Sequence, residues 1–406
     1  MDLLDRFLKY VKYDTMSDPF SETAPSTEKQ NLLAEELIRD MKELGISDAR
    51  MGAGGVVYGS LPATAGCENE PCIGLVAHMD TSPDLSGKDV NPRIIENYDG
   101  GDVDYPNYSE PLSPVRFPNL KEHVGKTLIV TDGSTLLGAD NKAGVAEILD
   151  AVRVLQEQGL PHGRIAVGFT PDEEIGRGVD KFDLTEFGAL FAYTLDGGDL
   201  SYIEYECFNA ASLTVTVTGF NIHPGTAKNQ MKNASLIAFE FDRMLPAAQK
   251  PQHTEGYEGF FHLSNMEGSE EKAVMRYIVR DHDSALFKSK KELSQKIGDF
   301  LNEKYGENTV DVKLEDSYLN MLEMIKPHMH VIERAKKAME KAGITPHEKA
   351  IRGGTDGARL SYMGLPCPNL PTGGYNYHGR FEYITLEDMQ KAVEIIVNIV
   401  AAKAQG

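Results

Sequence analysis

Residues 127–170 read TLIVTDGSTLLGADNKAGVAEILDAVRVLQEQGLPHGRIAVGFT. Two short apolar runs, Thr127 to Thr131 and Ile165 to Thr170, flank a segment from Asn141 to Gln158 in which Val145, Ile148, Leu149, Val152 and Leu155 recur at helical spacing. Strands that are apolar without alternation and are joined through a helix predict a mostly parallel sheet covered on both faces, an α/β fold. Moving outward, Val56 to Tyr58, Ile73 to Ala77 and Leu190 to Leu195 read as further strands of this kind. Upstream, Leu3, Leu4, Phe7, Leu8 and Val11 mark one face of a helix. A second helix opens at Thr27 with Gln30 as its capping-box partner, carries Leu33, Leu37, Met41 and Leu44, and stops at Gly45. The Pro-, Gly- and Asp-rich Tyr98 to Pro118 reads as a long surface loop.

Near Ala211 the period changes. From Leu213 to Thr218 apolar residues and threonines alternate, as in a strand with one buried face. A helix (Ser235 to Leu245), two strands around Gly268 (Phe260 to Met266, Ala273 to Arg280), a long helix (Ser284 to Tyr305) and a strand (Val310 to Leu314) complete a β-α-β-β-α-β order. That order predicts a ferredoxin-like α+β domain. The α/β domain, residues 1–208 and 318–406, is thus interrupted by an insertion over 209–317, and the chain ends in a helix from Leu386 to Ala402. Thr214, Thr216 and Thr218 mark an exposed face or edge where another subunit could pair, or a solvated strand of a monomer.

With Lys+Arg 41 against Asp+Glu 62, the net charge of -21 argues against nucleic acid or an anionic membrane surface as partner. No apolar run reaches the ~20 residues of a membrane helix. An acidic start, Met1-Asp2-Leu3-Leu4-Asp5, lacks the basic segment of a secretory signal, so the cytoplasm is expected. Cys67, Cys72, Cys207 and Cys367 are scattered and read as thiols.

Acids and histidines stand where the apolar runs end. His78 and Asp80 lie two residues apart after Ala77; alone, the pair reads as a strand-end hydrogen bond. Asp140 follows Leu136 to Ala139 at a helix start, Glu173 and Glu174 follow Thr170, Asp196 follows Leu195, and His378 sits in the loop from Gly373 to Tyr377. The loops beyond the strands of an open parallel sheet gather at one crevice, so these five positions converge. Any single acid among them would pass for an N-cap or a solvated loop residue. Together, two histidines and several carboxylates without cysteine suit a hydrolytic zinc site, with manganese or cobalt as alternatives. Two close ions need one bridging ligand. Asp140 takes that place, His78 and Asp196 hold one ion, and Glu174 and His378 hold the other. Glu173 is left without ligand duty and suits a general base.

The motifs Ala77-His78-Met79-Asp80-Thr81, Gly138-Ala139-Asp140-Asn141-Lys142-Ala143-Gly144, Thr170-Pro171-Asp172-Glu173-Glu174-Ile175-Gly176, Leu195-Asp196-Gly197-Gly198, the Arg352 to Arg359 run and Gly374-Tyr375-Asn376-Tyr377-His378-Gly379 span almost the whole chain. In this order they resemble the two-zinc aminopeptidase, carboxypeptidase and aminoacylase clan, and within it the peptidase T family of tripeptide aminopeptidases. The resemblance implies two Zn2+ per subunit, with Co2+ or Mn2+ as substitutes, and the same ligand roles. It implies Asp80 as the partner of His78, Glu173 as the base and the inserted domain as a lid. Asn141 stands where many relatives of the clan have a second Asp, at a position with no ligand role.

His223, in Phe220-Asn221-Ile222-His223-Pro224-Gly225, resembles the family's lid histidine that stabilises the developing oxyanion; otherwise it is a turn residue before Pro224. Arg280 and Arg352 are candidates for gripping a peptide's C-terminal carboxylate, or else surface ion pairs. Thr355, Asp356 and Gly357 present the Arg352 loop or cap the next helix. The resemblance implies removal of the first residue from tripeptides with a free N-terminus. Another amide hydrolase of the clan, a dipeptidase, carboxypeptidase or N-acyl amino acid deacylase, is the alternative.

Overall fold

Ile73–His78 and Ile165–Thr170 are buried at every residue and pair in parallel, because a strand between two packed layers has no face left for polar side chains. In a computed structural model, which describes residues 1–402, they lie in the middle of an eight-stranded sheet. Its order is Arg50–Met51, Val57–Leu61, Ile165–Thr170, Ile73–His78, Phe191–Gly197, Asn369–Pro371, Tyr202–Glu206, His347–Ala350. The four strands from Ile165–Thr170 to Asn369–Pro371 run parallel, and Val57–Leu61 and Tyr202–Glu206 flank them antiparallel.

The helix Ala139–Glu157 packs on Ile73–His78 and Phe191–Gly197 and is itself covered by Leu3–Tyr10 and Leu386–Val400, which is why nearly all its residues are buried. Val76, Ala166 and Ala192 join Phe182, Phe187 and Leu360 in a separate apolar cluster.

Three local expectations are corrected. Leu128–Val130 does not join the large sheet; it lies between Arg93–Ile95 and Tyr383–Thr385 in an antiparallel sheet, since a three-residue apolar run carries no mark of its partner. Tyr98 to Pro118 is not a bare loop. Val103–Tyr105 pairs with Tyr108–Leu112, and Tyr98, Val103, Tyr105 and Leu112 are buried with Leu128, Val130 and Tyr383. The helix Lys29–Glu43 has Glu28 as its N-cap without a side-chain cap, and Gln30 Nε2 donates both to Asp172 at 2.7 Å and to Thr27 Oγ1 at 3.2 Å.

The chain divides into two compact units: Met1–Tyr205, Glu323–Lys349 and Thr355 onward form the first, and Glu206–Leu322 with Ala350–Gly354 the second. The second unit holds a four-stranded antiparallel sheet in the order Phe260–Gly268, Lys272–Asp281, Asn209–Thr218, Val310–Tyr318. Leu213, Val215 and Val217 point into a core shared with Ile237, Phe241, Ile297 and Leu301 from the helices Ala234–Met244 and Ser284–Tyr305. Thr214, Thr216 and Thr218 therefore lie on the outer face of a central strand, paired on both sides, and not on an edge. No helix among the described residues is long and apolar enough to cross a membrane.

Candidate functional site

In the first unit, parallel strands bring their C-terminal ends to one place. His78 ends Ile73–His78, Glu173 and Glu174 form a single turn after Ile165–Thr170, and Asp196 closes Phe191–Gly197. Asp140 precedes the regular part of Ala139–Glu157, with φ -86° and ψ 99° outside the helical range. His378 adopts a positive φ in its loop.

Asp140 lies between the two histidines. Its Oδ1 is 3.0 Å from His78 Nε2 and its Oδ2 is 3.3 Å from His378 Nε2. Asp196 Oδ1 is 3.3 Å from His78 Nε2, and Glu174 Oε2 is 3.0 Å from His378 Nε2. Glu173 falls in one candidate cation-binding group with His78 and Asp196, and Glu174 in a second with His78 and Asp140.

Each histidine meets a carboxylate on its other nitrogen. Asp80, fully buried, places Oδ1 3.2 Å from His78 Nδ1 and accepts the backbone N–H groups of Glu173 at 3.0 Å and Glu174 at 3.2 Å. One side chain thus orients the imidazole and fixes the acidic turn. Asp84 Oδ2 lies 3.2 Å from His378 Nδ1. The turn is also held from behind. The buried Asp172 accepts from Ser26 N at 2.7 Å and Gln30 Nε2 at 2.7 Å.

The electrostatics are those of crowded acids in a poorly solvated place. Burial raises the Glu173 pKa well above the usual range, and the neighbouring Asp196 adds to it. Burial and Asp140 push Glu174 up to about 7. Burial also raises Asp196, against the pull of His78. Asp140 moves the other way: burial opposes its charge, but contacts from His378 and His78 hold its pKa low. Hydrogen bonds to Asp140 and Glu174 push His378 up to about 11. Burial works against protonation of His78, yet Asp196, Asp140 and Asp80 raise its pKa well above the ordinary value.

This donor set fits divalent cations. His78 converges with the carboxylates without cysteine, His378 lies against Asp140 and Glu174, and the buried Glu174 Oε1 has no hydrogen-bond partner among the described residues, an orphan oxygen of the kind a cation satisfies.

Three further sequence candidates lie in the second unit. His223 is exposed and caps the Pro224–Thr226 turn, its Nδ1 accepting from Gly225 N at 3.1 Å. Arg280 is half-buried with its guanidinium over the Tyr318 ring. Arg352 donates to the carbonyls of Gly256 at 2.5 Å and Glu258 at 3.1 Å and to Thr254 Oγ1 at 3.0 Å, and stacks on Phe208, so its guanidinium ties down the 254–258 loop. In the first unit, Thr355 is the N-cap of Asp356–Met363. Asp84 and Glu382 escaped the sequence reading. Glu382 is buried beside Asp140, and its one signal in the sequence is an acid set between Phe381 and Tyr383-Ile384.

The chain is also similar to known proteins. The family model described as Peptidase family M20/M25/M40 matches residues 131–402. Peptidase T of Caldanaerobacter subterraneus subsp. tengcongensis is 54% identical over 400 residues, covering 98% of both chains. Among solved structures, an aminopeptidase PepT from Bacillus cereus superposes with a TM-score of 0.77 at 24% identity, over 98% of this chain and 97% of that one. A tripeptidase from Staphylococcus aureus gives the same TM-score of 0.77 at 22% identity, over 98% and 96%.

Proposed function

This chain belongs to Peptidase family M20/M25/M40, and from that premise we propose that it is a metal-dependent aminopeptidase that removes the first residue of tripeptides. The observation that carries the reading is Asp140, whose two oxygens face two different histidines, each with an acid beside it. The identity over nearly the full length to a peptidase T, and the likeness to a solved tripeptidase, support the tripeptide as substrate.

In this reading His78 and Asp196 would hold one Zn2+, Glu174 and His378 would hold a second, and Asp140 would serve both; Co2+ or Mn2+ would substitute. Bound cations supply Lewis-acid polarisation of the scissile carbonyl and acidify water. Glu173 takes the proton from the attacking water and hands it to the departing amine as the C–N bond breaks. Burial raises its pKa, which makes it a stronger proton acceptor when ionised. Asp80 holds His78 and the backbone of Glu173 in a fixed relation, so that base and ligand do not drift apart. His223 is assigned to the oxyanion on the family resemblance alone, and Arg280 to the substrate carboxylate because a guanidinium can grip it in a bidentate way. Arg352 is the weaker candidate for the carboxylate, because its donors are taken by the 254–258 loop. Four free thiols and an acidic composition suit the cytoplasm.

The test compares an unblocked tripeptide, its N-acetylated form and the matching dipeptide, each with zinc-loaded and chelated enzyme. We expect metal-dependent release of the first residue from the free-amine tripeptide only. Preference for the acetylated peptide or the dipeptide would move the activity to another amide hydrolase of the family, and no cleavage would refute it.

A further inference from the structure

We infer that Glu382 is a positioning residue whose carboxylate clamps the backbone of the Asp140 loop, so that each Asp140 oxygen meets its own histidine. The inference rests on the two-metal reading proposed above. Glu382 is 1% exposed, and its partners are backbone donors: Oε2 accepts from Leu137 N at 2.7 Å and Gly138 N at 2.9 Å, and Oε1 accepts from Asp140 N at 3.0 Å.

The loop needs such an acceptor. Gly138 has a φ of 80°, and Asp140 and Asn141 depart from helical values, so their N–H groups sit at the frayed start of Ala139–Glu157, where the intrahelical ladder has not begun. An anion placed there satisfies orphan donors and meets the positive end of the helix.

The acceptor is held in register from two sides. Glu382 immediately precedes Tyr383–Thr385, which pairs with Leu128–Val130, the strand leading into the Asp140 loop. It also follows His378 by four residues, in a loop closed by Asn376 Nδ2 donating to Phe381 O at 3.1 Å. Arg380 Nη1 donates to Gly133 O at 3.2 Å, a second tie between the two loops. The loop bearing His378 therefore grips the loop bearing Asp140, and the separation of these two ligands is set through Glu382.

An amide at this position keeps the shape but turns one acceptor into a donor pointed at N–H groups. In Glu382→Gln at least one of the three bonds becomes a repulsion, and Asp140 shifts. Since Asp140 serves both cations, both binding steps weaken together, whereas loss of a terminal ligand would weaken mainly one.

The experiment is calorimetric Zn2+ titration of metal-free wild type and Glu382→Gln, with tripeptide kinetics beside it. We expect two sites in the wild type, both weakened ~10–100-fold in the variant, and a fall in kcat with KM little changed. A variant that only melts earlier while binding two Zn2+ with wild-type affinity overturns the inference. Where Glu382→Gln does not fold, Glu382→Asp is read instead; it keeps the charge but is one carbon short, and unchanged affinity there overturns the inference equally. A wild type that binds no pair of ions overturns the two-metal reading, and the inference falls with it.

Discussion

Glu173 and Glu174 are neighbours on one turn, yet their surroundings assign them different work. Glu174 meets His378 at 3.0 Å and keeps an orphan oxygen, as a ligand would. Glu173 stands with His78 and Asp196, where it has either a ligand's role or a base's. Glu173→Gln separates the two: as base, kcat falls by ~10²–10⁴-fold with two Zn2+ still bound. A missing ion on titration would make it a ligand. A second acid, Glu147, poses a different problem inside the helix Ala139–Glu157. It is fully buried, neither oxygen has a hydrogen-bond partner among the described residues, and burial together with Asp388 and Asp150 raises its pKa well above the usual carboxylate range. An acid whose pKa rises on folding favours the fold below its unfolded pKa, and that contribution is lost as the pH climbs through the folded value. Glu147→Gln should therefore melt higher than wild type at pH 8, with the gap closing toward pH 5. A difference that does not vary with pH would show that the charge on Glu147 is no burden.

At the scale of elements, the spacing of the proposed ligands depends on how closely a helix meets a strand. A Cβ on Gly144 would lie 2.2 Å from Leu195 O and 2.6 Å from Asn141 Oδ1, so Ala139–Glu157 approaches Phe191–Gly197 at a distance only glycine allows. Asp140 opens that helix and Asp196 follows Leu195, so Gly144→Ala should cost ~1–3 kcal/mol by overpacking and also weaken Zn2+ binding. Lower stability with unchanged zinc affinity would show that this contact does not set the ligand spacing. The same elements mark what the sequence made legible. Ile73–His78, Ile165–Thr170, the helix after Asp140 and the alternating strand around Val215 announce themselves, because burial on two faces, one stripe or one face leaves a local period. The acids and histidines at their ends were readable for the same reason. What was not readable depends on partners distant in the chain: Leu128–Val130 finding Tyr383–Thr385, the tyrosines between 98 and 108 packing on that sheet, Gln30 reaching Asp172, Asp84 reaching His378. No local period records a tertiary pairing.

For the molecule as a whole, the five proposed ligands lie at positions 78, 140, 174, 196 and 378, on segments that only folding brings together. The unfolded chain offers no such site, so cations bind the native state preferentially and stabilise it by mass action, ~2.7 kcal/mol per site when free metal is a hundredfold above Kd. The chain's net charge of -21 sharpens the expectation, because buried acids in the site add repulsion that two dications remove. Chelation should lower Tm as well as abolish peptide cleavage, and Zn2+ added back to the metal-free protein should raise Tm steadily with the logarithm of its concentration. His78→Ala removes the imidazole that lies against both Asp140 and Asp196, and should flatten that response; because it also takes away a group that offsets three buried acids, the metal-free Tm should fall as well. A Tm indifferent to chelator would place the cations, if any, outside this cluster. A zinc response that survives in His78→Ala would move them to other donors.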